Sequence, residues 1–467
     1  ASDCGKMNYH GMPIDQGELT LYRKHETIYR EDLPKRPELE LQQTMQHYRQ
    51  LVFSVAVIPI ILFSHTSGCP VVAESWPQPG NVYREFFAHN GGDKDWRVTD
   101  PNAKNPGAAK FIPNPVLKIK VSDLVGAVRV EALLDRWGGH IGTTPKQIRF
   151  NDNAWITVPE LTTTPSGHRP EMYYSQDNPV VDVPIKHLKT GENTFEGTCG
   201  GSSWGQWGLY SLILRVYYEP VFSARTTGRI VVPKNGSTIT DNPSISLQCS
   251  DTVVKAEIIA WYDGYDEDGD GQFLDWHESY HQPSRGASAE LKNHVGTIRK
   301  SPFEVRWNTQ FVPDQVPRAI KLLARIQDTS GLWHVIDPVT DLTLERNEHS
   351  VKQYRSTDIP ERFGVRTGET KSCSIRIPPT ADLASATDAR LHLRTWHGWD
   401  RNHAPYQLNG NEHLIEGNNH HFDYDTLPIP LAELRHGTNE FTIHSKTEHH
   451  MLEVLWPGPA ITIRYTR

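Results

Sequence analysis

Two segments of this chain, about two hundred and fifty residues apart, carry one pattern, and that repeat constrains the fold more than any other feature of the sequence. Val183-Pro-Ile-Lys-His-Leu188-Lys-Thr-Gly191-Glu-Asn193-Thr-Phe195 matches Ile429-Pro-Leu-Ala-Glu-Leu434-Arg-His-Gly437-Thr-Asn439-Glu-Phe441 at fixed spacing. Upstream of each copy stands an asparagine turn, Phe150-Asn151-Asp152-Asn153 in one and Leu408-Asn409-Gly410-Asn411 in the other. Trp137-Gly-Gly pairs in the same way with Trp396-His-Gly, and the run Leu212 to Tyr218 pairs with Ile461 to Tyr465. Order and spacing hold over roughly a hundred residues, the size of one domain. Asn-Asp and Asn-Gly favour the positive-φ backbone of a tight hairpin. Leu-x-x-Gly-x-Asn turns the chain before a strand that begins near phenylalanine.

Proline and glycine recur at short intervals through 85–467, helix-period patterns are nearly absent, and short β-branched runs alternate with turn residues. The expectation is an all-β chain. The asparagine hairpin, the proline-marked strand and Leu-Lys-x-Gly-x-Asn-x-Phe resemble the galactose-binding-like jelly rolls that accompany β-galactosidase-type glycoside hydrolases and serve as carbohydrate-binding modules. This resemblance spans about 85–220 and 370–467. It implies a fold rather than a ligand, because the matching residues are turns.

Between the copies, Pro302-Phe303-Glu-Val-Arg-Trp307-Asn308-Thr309, the Val312-Pro313-Asp314 turn and the strand Ile320 to Asp328 ending before Gly331 resemble bacterial immunoglobulin-like domains. The predicted organisation has an upstream extension at 1–44, a secretory leader at 45–73 and a jelly roll at 85–220. An immunoglobulin-like β-sandwich at 226–346 follows, then a charged linker or edge excursion at 347–371 and a second jelly roll at 372–467.

The leader reading rests on Arg49, the apolar run Leu51 to Phe63 and the small residues Val71-Val72-Ala73, in the order of an export signal. The run is too short for a comfortable membrane span. Gly68-Cys69 raises a lipid anchor as the alternative to cleavage. A secreted or cell-surface location is therefore expected. The formal net charge of −8 provides no basic field for a phosphate backbone, so nucleic acid is not an expected partner. The five cysteines, Cys4, Cys69, Cys199, Cys249 and Cys373, have neither metal-binding nor paired spacing.

Two sets of residues point to chemistry. Asp266, Asp268 and Asp270 followed by Gly271 begin like an EF-hand-type Ca2+ loop, with Gln272, Asp275 and Glu278 as further ligand candidates. His277 occupies the twelfth position, where a bidentate carboxylate ordinarily closes such a loop. A structural calcium ion within the middle domain is expected. The alternative is an acidic surface turn.

The second set is aromatic. The chain has 13 tryptophans, many of them in glycine- and histidine-rich segments. Sugar rings stack on aromatic faces while their hydroxyls take polar partners. His140, Tyr173, Trp204, Gln206, Trp207, Trp399 and His403 are the candidate carbohydrate-binding residues. Trp137 and Trp396, present in both copies, read as core. A non-catalytic carbohydrate-binding or surface-interaction protein with a polysaccharide or glycan partner is the first expectation. An extracellular polysaccharide-degrading enzyme, a lyase or a glycoside hydrolase, is the second, with His140 and Tyr173 or Tyr174 as an acid–base pair. A structural cell-surface protein is the third.

Overall fold

Short β-branched runs broken by turns fold as strands throughout a computed structural model that describes residues 76–89, 97–140, 142–161, 172–201, 204–219, 226–280, 290–398, 404–415, 417, 421–448 and 450–467. The fold is nearly all β, as β-sandwiches, with a single short α-helix, Pro106–Ala109, among the described residues. The upstream extension, the leader, Cys69, Trp399 and His403 lie outside the described residues. No described helix is long and apolar enough to cross a membrane.

The first sandwich sets Val82–His89, Gln206–Tyr218 and Ala127–Trp137 side by side, with Gln176–Asp177 and Val180–Asp182 beyond. Its facing sheet runs Leu117–Val121, Gly191–Cys199, Lys146–Phe150, Ile156–Thr157. The C-terminal sandwich has the same neighbours in the same order. His349–Arg355, Ala460–Thr466, Ala386–His397 and Phe422–Pro428 form one sheet, and Thr370–Ile377, Gly437–His444, Pro405–Leu408 and Asn411–Leu414 the other. Residues 347–371 do not merely link domains, since His349–Arg355 is an edge strand of this sandwich and Gly364–Val365 pairs with Leu452–Val454.

The repeated asparagines do the same work twice. Asn151 Nδ2 donates to Asn193 Oδ1 (2.7 Å) and His187 O (2.9 Å), while the Thr194 N–H donates back to Asn151 Oδ1 (3.1 Å). In the second copy Asn409 Nδ2 donates to Asn439 Oδ1 (2.8 Å) and Glu433 O (2.8 Å), and the Glu440 N–H to Asn409 Oδ1 (3.0 Å). Asn193 and Asn439 are buried, so each amide satisfies backbone groups that would otherwise be desolvated without partners. Gly191 and Gly437 take φ values of 103° and 84°, a region costly for a residue with a Cβ.

The middle sandwich stacks Gly228–Val232, Ser244–Cys249 and Phe303–Arg306 against a sheet containing Val339–Leu344, Ile320–Asp328 and Val253–Asp263. Its core is Ile245, Ile258, Ile320, Leu322, Ile326 and their neighbours, with Trp307 beneath. This sheet does not end at the domain boundary. Trp333–Val335 pairs on one side with Ile320–Asp328 and on the other with Val82–His89, so that one sheet of 13 strands runs through the first two sandwiches.

Candidate functional site

The strand Gln206–Tyr218 is buried along its whole length, and its first two residues are candidates of the carbohydrate-binding set. Trp207 is 0% exposed; its indole N–H donates to Thr198 O (3.2 Å) and its ring lies in the first jelly-roll core. It offers no face to a ligand. Gln206 is buried as well, donating from Nε2 to Thr99 Oγ1 (2.9 Å) while its carbonyl accepts from the His140 N–H (2.9 Å). These bonds hold the loop after Trp137 against the strand. Gly139 permits that approach, having φ 94° and standing where a Cβ would meet Gln206 O and Trp207. Tyr173 is buried in the other sandwich, its ring 5.0 Å from that of Trp456.

Trp204 and His140 remain at the surface or near it. Trp204 is 42% exposed and meets His140 edge to face at 5.7 Å; His140 in turn meets Trp137 at 5.3 Å. Trp137 belongs to an apolar cluster with Tyr210, Phe422 and Leu455, against which Tyr174 and Trp396 pack. Tyr210 comes from the first jelly roll and Phe422 from the second, their rings 5.2 Å apart. The aromatic band thus crosses the seam between the two jelly rolls, continuing from Trp396 to His450 at 6.1 Å. The repeat-equivalent Trp137 and Trp396 lie at this seam and not in the centre of either sandwich.

Charged groups gather on the same seam. The guanidinium of Arg97 lies 4.2 Å from the Phe111 ring centroid. Burial pushes His140 down to about 4, and the charges of Arg362 and Arg97 add to that effect. It is a neutral imidazole at physiological pH. Tyr174 feels Glu453, Arg362 and Arg366, with burial the main cause of its raised pKa. Glu453 is 9% exposed, and burial pushes its carboxyl up to about 8 against the opposing pull of Arg366. None of Arg97, Arg362, Arg366 and Glu453 was legible as a site residue, because their meeting depends on how distant segments dock.

The acidic loop leaves the middle sandwich after Val253–Asp263 and returns at Leu274–Trp276. Asp266 accepts at Oδ1 from the N–H groups of Gly269 (2.5 Å) and Asp270 (3.1 Å) and at Oδ2 from that of Gly271 (2.9 Å), which closes the turn. Ligand atoms of Asp266, Asp268 and Asp270 all lie within 4.8 Å of one another. Burial raises all three carboxyl pKa values, Asp270 to about 9, and mutual repulsion adds to the rise for Asp268 and Asp270. Asp275 and Glu278 repel Asp268 as well. A divalent cation would offset that repulsion, so the carboxylate oxygens fit a hard ion of the Ca2+ type. Gln272 contributes a backbone N–H to Asp270 Oδ1 (2.7 Å). His277 does not close the loop: its ring bonds Glu267 (2.9 Å) and Tyr262 O (2.8 Å).

The loop is no appendage of the middle domain. Tyr265 donates to Gly458 O in the second jelly roll (2.7 Å) and stacks on Tyr424 and His392. The Tyr280 N–H donates to Asn178 Oδ1 in the first jelly roll (3.0 Å). Arg394 of the second jelly roll reaches Gln176 O (2.7 Å) and Trp456 O (2.9 Å), and Gly269 fits between that guanidinium and Gln176. All three sandwiches meet on it.

No family model and no curated protein matches the chain. Among solved structures it is similar to a beta-porphyranase of glycoside hydrolase family 86 from the human gut bacterium Bacteroides plebeius, with 9% identity and a TM-score of 0.21 over 48% of this chain and 34% of that one. A beta-glucuronidase from Faecalibacterium prausnitzii is similar at 9% identity and a TM-score of 0.18, over 59% and 48%. Fibronectin(III)-like modules of Clostridium thermocellum CbhA are similar at 9% identity and a TM-score of 0.14, over 48% and 98%. The chain spans about a third of the porphyranase and about half of the glucuronidase.

Proposed function

We propose that this chain is an exported, non-catalytic glycan-binding protein whose binding face is the aromatic seam between its two jelly rolls. The observation that carries this reading is the run Trp204–His140–Trp137, a half-exposed indole backed edge-on by His140, which in turn meets Trp137 of the cluster that bridges the sandwiches. An indole face beside polar side chains is the mixture a pyranose ring requires. The leader at 45–73 is the basis for export, and Cys69 for a lipid anchor in place of cleavage. A structural Ca2+ held by Asp266, Asp268 and Asp270, with Asp275 and Glu278 in reach of its field, accompanies this reading.

The test is a glycan array probed with the full chain, run beside assays for reducing ends and for unsaturated products on the same polysaccharides. Binding without products supports the proposal, and absence of binding rejects it. One observation favours a second reading, an enzyme acting on extracellular polysaccharide. Glu453, with its carboxyl pushed up to about 8, lies beside Tyr174 in the seam, and a carboxyl still protonated at neutral pH is suited to general acid work. Product formation that Glu453→Gln abolishes would establish that reading over the first.

A further inference from the structure

The second jelly roll brings two exposed arginines, Arg362 and Arg366, to the seam. Arg362 stands in the left-handed region at φ 49°, a conformation that costs a residue with a side chain on the order of 1 kcal/mol or more. It is held there by its N–H donating to Met172 O (3.0 Å) and by its own carbonyl, which accepts from Lys371 Nζ and the Gly364 N–H. The bond to Met172 crosses from the second jelly roll to a loop of the first. The side chain of Arg362 is exposed, as is that of Arg366 four residues on. Neither forms an ion pair among the described residues.

Two acids lie near these arginines, Glu369 and Glu453. Glu369 Oε2 accepts from the backbone N–H of Arg366 (2.8 Å). Glu453 is buried and neutral until about pH 8. Arg97 of the first jelly roll, its guanidinium over Phe111, and Arg362 both act on His140, the ring that meets Trp204 edge-on. Gly364, between the two arginines, lies against the ring of Tyr174, which packs on the Trp137 cluster, so strain at a cation-bearing residue and exposed guanidinium groups stand beside the aromatic band. A guanidinium fork matches the planar oxygens of a carboxylate and binds sulfate oxygens equally well.

We propose that the seam selects anionic glycans, the carboxylate or sulfate of an acidic sugar lying against Arg362 and Arg366 while a neighbouring ring stacks on Trp204. This rests on the glycan-binding reading and names the ligand class for the same face. The experiment measures binding of the full chain to polygalacturonate, to dextran sulfate and to uncharged dextran and galactan, at low and high salt. The wild type, Arg362→Gln/Arg366→Gln and Arg366→Gln are compared, with Arg299→Gln as a control for an exposed arginine on the middle domain.

Salt-sensitive binding to an acidic polymer is expected, falling roughly tenfold or more in the double variant and less in Arg366→Gln. Arg299→Gln is expected to bind as wild type. Preference for polygalacturonate over dextran sulfate assigns the carboxylate, and the reverse the sulfate. Wild-type binding to uncharged polymers as strong as to acidic ones, or acidic binding unchanged in Arg366→Gln and in the double variant, overturns the proposal and leaves glycan binding standing. No binding to any polymer overturns both.

Discussion

Truncating Trp204 and truncating Trp207 are expected to have opposite consequences, although three positions separate them. Trp204→Ala removes a half-exposed ring, and its expected effect is a loss of glycan affinity of about 1–3 kcal/mol with the melting temperature nearly unchanged. Trp207→Ala opens a cavity in a closed core and is expected to cost about 3–5 kcal/mol of stability, read by denaturant unfolding. Both stand in the same glycine-rich stretch, and nothing local marks that the buried strand begins at Gln206, between them. Tyr173 and Tyr174 illustrate the same limit, adjacent residues of which the first enters the second jelly-roll core and the second the seam. The buried Glu453 adds a pH signature. Its pKa is raised from 4.5 to about 8 on folding, so the native state keeps a proton that the unfolded chain releases. Its contribution is fully present below about pH 4.5 and is lost as pH rises through about 8, on the order of a few kcal/mol. Urea unfolding at pH 5, 6.5 and 8.5 should show this decline, and Glu453→Gln should flatten it.

At the scale of the element, the acidic loop is where the sequence was most explicit and its surroundings least so. The spacing of Asp266, Asp268 and Asp270 with Gly271 announced a carboxylate cluster, because a cation loop requires those positions locally. The docking of both jelly rolls on that loop was invisible, since the contacting groups, Gln176, Arg394 and Gly458, carry no local signature. Asp268→Ala with Asp270→Ala should therefore act in two directions. Without calcium it relieves repulsion and is expected to raise the melting temperature. With calcium it is expected to remove the mass-action stabilisation of the wild type, so that millimolar Ca2+ no longer shifts the transition. Wild-type protein whose transition ignores Ca2+, with no heat of binding in titration calorimetry, would exclude the ion. Gly269→Ala tests the docking separately. Its φ of 75° and its place against Arg394 and Gln176 leave no room for a Cβ, and a loss of about 1–3 kcal/mol is expected from unfolding curves.

Across the whole molecule, the two copies were legible because their turn residues must be asparagine and glycine wherever the same hairpins recur. The neighbour order of the strands repeats with them. What joins the sandwiches was not legible. Arg325 bonds Glu257 (2.6 Å), Glu85 (2.6 Å) and the Tyr83 hydroxyl (2.8 Å), and Arg215 bonds Glu85 and Glu131 (both 3.2 Å) and the Tyr280 hydroxyl (3.0 Å). This network ties the first sandwich to the middle one, and no motif in the sequence pairs its members. Arg325→Ala would remove the buried cation that Glu257 and Glu85 share, leaving them only Lys255 and Arg215 respectively. A loss of about 3–5 kcal/mol is expected, with both sandwiches unfolding in one calorimetric transition at lower temperature.

The pairing of Trp333–Val335 with Val82–His89 has a consequence for any attempt to dissect the chain. A strand at the rim of a sheet presents an open row of amide and carbonyl groups, and such a row recruits whatever strand it meets next. In the intact protein that row is partly sealed by the neighbouring sandwich. A fragment cut between the sandwiches would carry a fresh adhesive rim on each half. Its characteristic failure would be self-association through strand addition, with the fold of each half otherwise intact.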